Sequence, residues 1–408
     1  MYPIGNLESV FSINVIGLKK SVIRELLKLT QKPGIISFAG GLPSPETFPI
    51  AEIADLAKEV IEKEGKWALQ YGPTEGDPRL KEEIIKIFKK DGVSVEADNI
   101  LIISASQQGL DIVGKVFLNR NDPIVLGRPS YVGALGAFRS YSAVFKGIEL
   151  DDEGIRIDML RDKLEEMRRM AEPPKFIYIV PDFQNPAGVT LSLKRRKELL
   201  EIAQEFQILV IEDTPYRQLR YVGDHIPSLY QLDKGKGYVI GLHTFSKILF
   251  PGLRLGWIVA SKPIIEKFVI TKQGMDLCTP PITQAIAYEY CRRGLLDSHI
   301  KDNVALYKKK RKIMLEALDK YMPKNNEIKW TRPDGGLFLW VELPKSINVE
   351  EMFYQAIDKK VAYVIGTAFY PDDGGKNAMR LNFSFPSENE IIEGVKRLAQ
   401  VIKDNLKR

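Results

Sequence analysis

Short apolar segments alternate with longer amphipathic segments through the middle of the chain, and this alternation constrains the fold more than any other feature. The apolar segments span residues 99–106, 122–127, 175–181, 207–213, 237–243 and 253–261. Several are apolar throughout, which is typical of strands buried on both faces of a sheet. Apolar residues recur at helical spacing between them, for example over 107–118 and 193–206. Strands that alternate with helices predict an α/β fold with a mainly parallel central sheet between helices.

The C-terminal third has a different pattern. In chain order it contains a helical stretch near 284–322, β-rich segments at 330–344, 361–366 and 379–386, and an amphipathic helix from about Glu388. This order is typical of a smaller α+β unit. We therefore predict a large domain over residues 50–288 and a small domain formed by residues 1–49 and 289–408.

The overall charge gives little support to a nucleic-acid partner. The 408 residues include 59 basic and 53 acidic side chains, a net charge of +6. One basic run, Lys308 to Lys312, lies in a segment with an apolar helical stripe, and we interpret it as a solvated helix face.

Cysteine and histidine usage argues against a disulfide framework or a zinc site. Cys278 and Cys291 form no close pair, and the three histidines do not cluster. The N-terminus does not have the pattern of a secretory signal, and no apolar run approaches the ~18 residues of a membrane span. We therefore expect a cytoplasmic protein without membrane contact.

A nucleotide-binding loop is the first alternative to consider. Residues 109–116, GLDIVGKV, match a P-loop except at Val116, where the loop needs a hydroxyl for magnesium. The segment also has helical periodicity, so we predict a helix there and not a phosphate loop.

A lysine stands in a turn after one of the buried strands. Lys247 lies in HTFSKILFPGLRLGW, with Ser246 beside it, Thr244 before it and Arg254 seven residues later. Burial lowers the pKa of a lysine and favours a Schiff base. Hydroxyls and an arginine are suitable ligands for a phosphate dianion. The alternative is a surface loop with ordinary charges.

Two other strand ends carry polar side chains. VIEDTPY ends a strand in Asp213, with Tyr216 three residues later, and PDFQNPAGVT places Asn185 after another strand. Taken alone, an Asp at a strand end, such as Asp213, is a turn residue or a helix cap more often than not, and Asn185 is typical of loop punctuation. Ligands of α/β sheets bind beyond the carboxyl ends of the strands, so these side chains are expected to meet there.

A fourth and a fifth strand end complete the group. Ser104, Ser106 and Gln107 stand where a strand gives way to a helix, whose N-terminus attracts anions. The structural alternative is that Ser106 is a plain N-cap, and both roles can hold at once. Tyr131, in GRPSYVGAL, could stack on an aromatic ligand or belong to the core. Pyridoxal 5′-phosphate (PLP) explains all of these residues together, because it needs a lysine amine, an anion at its ring nitrogen, donors to its phenolate and a phosphate cradle.

These residues resemble those of the fold-type I PLP-dependent aminotransferases of class I/II. Within this family, the chain resembles the kynurenine/α-aminoadipate subfamily more than the other members. This subfamily includes enzymes of lysine biosynthesis. The matching stretches cover nearly the whole chain and include IRELLKLTQKPGIISFAGGLPSPETFP, LQYGPTEGDPRLK, SASQQGLD, QNPAG, TFSK, PGLRLGW, RPDGGLFLWVELP and MRLNFS.

The resemblance implies a role for each cofactor residue. Lys247 carries PLP as a Schiff base and shuttles the α-proton of the substrate. Asp213 pairs with the pyridinium, Tyr216 and Asn185 hold the phenolate, and Tyr131 stacks on the ring. The implied phosphate ligands are Ser106, Gln107, Thr244, Ser246 and Arg254. Thr244 stands where serine is common, and Ala105 replaces a frequent glycine, which we interpret as a minor steric change.

The resemblance also implies the substrate residues. Arg380 grips the α-carboxylate in a bidentate fork, with help from Asn185 and the backbone at Gly40 and Gly41. Arg24 matches an arginine that reads the substrate side chain, or else it is a solvated charge.

A homodimer is implied as well, because Tyr71 resembles a residue that crosses into the active site of the partner subunit.

The predicted function is a ping-pong aminotransferase that acts on an L-amino acid and a 2-oxo acid. Glutamate with 2-oxoglutarate is the expected common pair, and α-aminoadipate is the expected second substrate, while aromatic and branched-chain preferences remain open. One alternative is a β-lyase or related PLP enzyme on the same scaffold. The other is a non-catalytic aminotransferase-like regulator, which would carry a DNA-binding domain ahead of Gly40; fewer than 40 residues precede it, so we expect none.

Overall fold

The computed structural model describes residues 7–16 and 34–407. The strands in chain order are β1 (Ile36–Ser37), β2 (Ile100–Ile103), β3 (Pro123–Arg128), β4 (Val144–Asp151), β5 (Gly154–Ile155), β6 (Phe176–Ile179), β7 (Leu209–Asp213), β8 (Val239–Thr244), β9 (Gly256–Val259), β10 (Lys329–Trp330), β11 (Phe338–Glu342), β12 (Val361–Ala362), β13 (Val364–Ile365) and β14 (Ala378–Asn382).

Helices separate most of these strands. The α-helices are Ile13–Ile16, Ile50–Ala68, Pro78–Lys90, Ala105–Phe117, Val132–Arg139, Ile157–Arg169, Leu193–Phe206, Leu229–Asp233, Lys262–Gln273, Pro281–Arg292, Leu295–Tyr321, Val349–Asp358 and Glu388–Leu406. Short 3₁₀ turns span Leu7–Val10, Pro45–Thr47, Ala97–Asn99, Pro251–Leu253 and Gly366–Phe369.

The large sheet has eight strands in the order β2-β9-β8-β7-β6-β3-β4-β5. Strands β4, β3, β6, β7 and β8 pair in parallel, while β9 is antiparallel to both β8 and β2. The mainly parallel sheet is therefore confirmed, and each of the apolar segments identified in the sequence overlaps one of its strands. Buried side chains cover both faces of these strands, which explains why the segments are apolar throughout.

Strand β4 is the element that the apolar pattern does not predict. Its sequence, VFKGIELD, mixes charged and apolar residues, and of its eight residues only Ile148 is fully buried. It lies near one edge of the sheet, where β3 and the short β5 flank it. Only the two-residue β5 lies beyond it, so β4 is largely an edge strand and does not need the continuous apolar sequence of a central strand.

The helix boundaries follow local capping signals. The Ser192 side chain accepts a hydrogen bond from the backbone N–H of Arg195 at the start of the predicted helix Leu193–Phe206. Ser387 and Glu390 form a capping box at the start of the last helix, which begins at Glu388 as expected. The predicted stretch 284–322 is instead two helices, because the chain breaks at Gly294, whose φ is +73°.

The C-terminal part contains a second sheet, with the antiparallel order β10-β11-β14-β13. Strand β1 pairs in parallel with β12, so that Ile36 lies opposite Val361. This pairing joins the N-terminal segment to the C-terminal part of the chain.

The basic run is not uniformly solvated, which corrects the interpretation of it as a solvated helix face. Lys308, Lys309 and Lys312 are exposed, but Lys310 is buried. The Lys310 ammonium donates to Glu46 at 2.6 Å and to the carbonyl of Ser384 at 3.1 Å. A buried lysine needs such partners, and the contact with Glu46 attaches the helix to the N-terminal segment.

Other expectations can be compared directly with the structure. The P-loop-like residues 109–116 lie within the helix Ala105–Phe117, as predicted. Cys278 and Cys291 are free. Across residues 7–16 and 34–407, no helix is long and apolar enough to span a membrane, and no cluster of histidine, cysteine or carboxylate side chains could hold a metal ion.

Candidate active site

A cavity of about 300 Å³ lies where the carboxyl ends of the central strands meet the N-terminus of the helix Ala105–Phe117. Ten of the residues singled out in the sequence line it: Ser106, Gln107, Tyr131, Asn185, Asp213, Tyr216, Thr244, Ser246, Lys247 and Arg254. They come from separate segments, and the parallel strands bring them to one edge of the sheet.

Lys247 follows β8 and reaches into this cavity. Its Nζ donates to the carbonyl oxygen of Gly41 at 2.8 Å. Burial, together with the positive charges of Arg380 and Arg254, lowers the pKa of Lys247 from 10.5 to about 8. A larger fraction of the amine is therefore neutral and nucleophilic near neutral pH than in an exposed lysine.

Asp213 ends β7 and is almost completely buried. Its Oδ2 accepts a hydrogen bond of 2.9 Å from the hydroxyl of Tyr178, while its Oδ1 is buried without a partner among the described residues. Burial raises the pKa of Asp213 from 3.8 to about 7, although the Tyr178 hydrogen bond opposes this rise. The carboxylate would be stabilised by a cationic donor in the cavity.

A chain of hydrogen bonds leads from the cavity residues Tyr216 and Asn185 to Arg380. The Asn185 amide donates to the hydroxyl of Tyr216 at 3.3 Å, and its Oδ1 accepts from Arg380 Nη1 at 2.9 Å. Arg380 Nη2 donates to the carbonyl of Ala39 at 2.9 Å, and the guanidinium lies 4.1 Å from the ring centre of Phe338. Arg380 is thus fixed in orientation, and its Nε is buried without a partner in the described chain.

Hydroxyl and amide groups surround the end of the cavity at the helix N-terminus. The Thr244 hydroxyl donates to Ser246 Oγ at 2.9 Å, and the exposed Arg254 contacts the same cavity. The buried Ser106 Oγ has no partner among the residues described. The N-cap of the helix is Ser104, so the alternative that Ser106 is the N-cap is wrong.

The backbone approaches closely around this end of the cavity. Ala105 has a φ of +65°, in the left-handed region, so the replacement of glycine there strains the backbone and is more than a minor steric change. A Cβ on Gly256 would lie 2.4 Å from the carbonyl oxygen of His243 and 3.1 Å from Ala105 Cα. Glycine at 256 is therefore required for strands β8 and β9 to pack beside this helix.

Tyr131 also lines the cavity and is partly buried. It caps the helix Val132–Arg139, and a Cβ on Gly133 would come within 2.5 Å of its ring. Gln107 donates to the carbonyl oxygen of Gly133 at 3.0 Å. Gly133 therefore leaves room for the ring beside Gln107.

The remaining predicted residues have different positions. The carbonyl oxygen of Gly41 accepts the hydrogen bond of Lys247, a Cβ added at Gly41 would lie 3.9 Å from Arg380 Nη2, and Gly40 is buried next to it. Tyr71 is 76% exposed and does not line the cavity of its own chain. Arg24 lies outside the described residues.

Tyr178 and Phe338 are contacts of the site that sequence reasoning missed. Both lie in apolar strands and have the appearance of core residues. The only signal for Tyr178 is a hydroxyl within a strand that is buried on both faces, because a buried hydroxyl needs a partner.

The central sheet carries at its carboxyl edge a lysine, a helix N-terminus and a carboxylate oxygen that has no partner in the described part of the chain. This arrangement is that of a fold-type I PLP-dependent transferase. Residues 35–398 match the family described as aminotransferase class I and II. The chain belongs to this family.

Relatives support the same assignment over the full length. The chain is 45% identical to aromatic-amino-acid aminotransferase 1 of Thermococcus litoralis. The alignment covers 100% of this chain and 97% of that protein. It is 42% identical to 2-aminoadipate transaminase of Thermus thermophilus, over 95% and 94% of the two chains. The structure of Pyrococcus horikoshii kynurenine aminotransferase, a complex with PMP, superposes with a TM-score of 0.95 at 47% identity, covering 99% of each chain. The protein is therefore a PLP-dependent aminotransferase, as the sequence predicts.

The described residues fit this cofactor. Buried polar atoms without a partner among the described residues include Asp213 Oδ1, Ser106 Oγ and Arg380 Nε. They match, respectively, a cationic ring nitrogen, a phosphate and a substrate carboxylate. Buried polar atoms are rarely left unpaired, so these atoms indicate where ligands belong.

Proposed function

We propose that the enzyme exchanges the amino group of glutamate with that of a second L-amino acid, α-aminoadipate or an aromatic amino acid, and that Arg380 holds the α-carboxylate of each. The observation that carries this proposal is the orientation of Arg380. Its guanidinium is held by Asn185 and Ala39, and its Nε has no partner within residues 7–16 and 34–407. Burial lowers the pKa of Arg380 to about 10, so it stays cationic at neutral pH.

The residues of the cavity divide the remaining tasks. Asp213 would hold the ring nitrogen of PLP, Tyr216 and Asn185 its phenolate, and Tyr131 the face of the ring. Its phosphate would be held by Ser106, Gln107, Thr244, Ser246 and Arg254. Bound at Lys247, PLP supplies a conjugated ring that stabilises the negative charge left when the substrate loses its α-proton.

Lys247 is the proposed proton carrier. Its Nζ lies within hydrogen-bond distance of Gly41, on the side of the cavity where Arg380 is held. A substrate anchored by Arg380 would therefore present its α-carbon to the Lys247 amine, whose pKa of about 8 suits both acceptance and return of a proton.

The second substrate is proposed from two considerations. The relatives are named for aromatic amino acids and for 2-aminoadipate. Among the described residues that line the cavity, Lys247 and Arg254 are the cations, and both have other tasks. A distal carboxylate would therefore require a further cation, for which we propose Arg24.

We also propose a homodimer in which Tyr71 completes the cavity of the partner subunit. Tyr71 is 76% exposed and Leu69 is 68% exposed, an unusual pair of neighbours for a surface in water. Mixing Tyr71→Ala protein with Lys247→Ala protein would restore activity if one dimer thereby recovers an intact site. A monomer in sedimentation, or no restoration on mixing, would contradict this proposal.

The division into domains is proposed with the boundaries predicted from the sequence, 50–288 against 1–49 plus 289–408. It is supported by the pairing of β1 with β12 and by the ion pair of Lys310 with Glu46.

The substrate proposal is tested by half-reactions without a 2-oxo acid acceptor. Wild-type holoenzyme is mixed with glutamate, α-aminoadipate, an aromatic or a branched-chain amino acid, and the loss of cofactor absorbance is followed. We expect glutamate and α-aminoadipate to react, and Arg24→Ala to slow these two by roughly 10-fold or more while sparing the aromatic donor.

The matched control is Lys28→Ala, which removes a cation from the same sequence segment. Equal loss with both variants, or an unchanged rate with Arg24→Ala, would eliminate the role of Arg24. Failure of both dicarboxylic donors with wild-type enzyme would overturn the substrate proposal.

A further inference from the structure

We propose that Tyr178 is a positioning residue, which fixes the orientation of the Asp213 carboxylate and thereby strengthens the binding of PLP. This inference rests on the proposed role of Asp213 at the ring nitrogen. Tyr178 does not itself line the cavity that contains Lys247.

The position of Tyr178 is set by the register of two parallel strands. In that register Tyr178 of β6 lies opposite Ile211 of β7, two residues before Asp213. The tyrosine is fully buried, and its ring packs edge-to-face on Phe138 with ring centres 5.8 Å apart. The ring therefore has little freedom, and its hydroxyl is held at 2.9 Å from Asp213 Oδ2.

This hydrogen bond leaves one carboxylate oxygen for the cavity. Asp213 lines the cavity, and its Oδ1 has no partner among the described residues. A donor on Oδ2 restrains rotation of the carboxylate plane, so Oδ1 keeps a single direction. Preorganised acceptors bind a ligand more tightly because less freedom is lost on binding.

The hydrogen bond also acts on the charge of Asp213. Burial raises the pKa of this carboxyl, and donation from Tyr178 lowers it. Because only the ionised carboxylate pairs with a protonated ring nitrogen, loss of the hydroxyl weakens the pair as well as its orientation.

The competing interpretation is that Tyr178 is a core tyrosine whose hydroxyl merely finds an acceptor. Tyr363 provides a matched control for this possibility. It is also fully buried, and its hydroxyl donates to the carbonyl oxygen of Val349 at 2.7 Å, in the C-terminal part of the chain. Tyr178→Phe and Tyr363→Phe remove the same atom and one hydrogen bond each.

The experiment measures the dissociation constant of PLP from full-length apoenzyme, by quenching of intrinsic fluorescence. The variants are Tyr178→Phe, Tyr363→Phe, Asp213→Asn and the double variant Y178F/D213N. We expect Tyr178→Phe to raise the dissociation constant about 10-fold or more, since hydrogen bonds to charged groups have effects of that size. In the Asp213→Asn background the same change should have an effect below about 2-fold, because the charged partner is gone.

A second readout separates positioning from general loss of structure. The visible absorption bands of bound PLP report ring protonation, and we expect their ratio to change in Tyr178→Phe and to stay as in wild type in Tyr363→Phe. Thermal unfolding of the apoenzymes should show comparable stability for the two variants.

Three outcomes would overturn the inference: an unchanged dissociation constant in Tyr178→Phe, an equal rise in Tyr363→Phe, or an equal rise with and without Asp213. If Asp213→Asn itself leaves PLP affinity unchanged, the proposed role of Asp213 is wrong. The inference about Tyr178 is then wrong as well, because it rests on that role.

Discussion

Replacement of Arg380 by lysine tests the substrate site at its most specific point. The guanidinium donates to Asn185 and Ala39 at 2.9 Å each and packs on Phe338. Lysine keeps the positive charge but cannot present two parallel N–H groups to a carboxylate. The loss of one charge-assisted hydrogen bond corresponds to about 1.5–3 kcal/mol, or roughly 10- to 100-fold in kcat/KM.

The measurement is the rate of the half-reaction over a series of amino-donor concentrations that extends to saturation. We expect the concentration for half-maximal rate to rise, because binding of the α-carboxylate is weakened. A primary amine without a carboxylate should react equally with wild type and Arg380→Lys. The matched control is Arg195→Lys, which alters hydrogen bonds to Asp151 and the carbonyl of Gly154 at the surface.

The reasoning is refuted if Arg380→Lys changes kcat/KM less than about 3-fold, or if the carboxylate-free amine suffers the same loss. A loss of equal size in Arg195→Lys would show that the substitution acts through stability.

Three further predictions concern the charges and the packing of the cavity. Asp213→Asn should make the apoenzyme more stable at pH 8, by an upper limit on the order of 4 kcal/mol, because the folded-state pKa of Asp213 is raised to about 7. As the pH rises, the unfolded state releases this proton before the folded state does. The stabilising effect of the variant, measured by chemical denaturation, should therefore fade as the pH falls from about 7 to 4. A constant difference in the free energy of unfolding between variant and wild type would contradict this reasoning. The rate of PLP uptake by apoenzyme should rise with pH and level off above about 8, since the pKa of Lys247 is lowered to about 8; a rate still rising at pH 10 would show an ordinary lysine. Gly256→Ala should lower the free energy of unfolding by about 3 kcal/mol or more, because its Cβ would lie 2.4 Å from the His243 carbonyl oxygen. Gly136→Ala, where a Cβ meets nothing within 4 Å, should be neutral or raise it by about 0.5–1 kcal/mol, and equal losses in the two glycine variants would contradict the steric explanation.

The central strands were predictable because each is buried on both faces. A strand in that position has a continuous apolar sequence, which can be recognised without knowledge of its neighbours. Strand β4 was not predictable, since its place near the sheet edge relaxes that requirement. Lys310 was misjudged for a related reason. Its neighbours in the run are exposed, and its buried partners, Glu46 and Ser384, come from distant segments.

The sequence by itself determined the chemistry of this protein, because Lys247, Asp213 and Asn185 each stand at the end of a recognisable strand and together match the needs of one cofactor. Only the tertiary structure decided how these groups are held. Tyr178 meets Asp213 across 35 positions, and Arg380 meets Asn185 across 195. Such contacts depend on strand register and on the packing of the N-terminal segment and the C-terminal sheet against the large sheet. Periodicity and motif spacing describe relations between residues that are close in the sequence. The residues that make these contacts are close only in space.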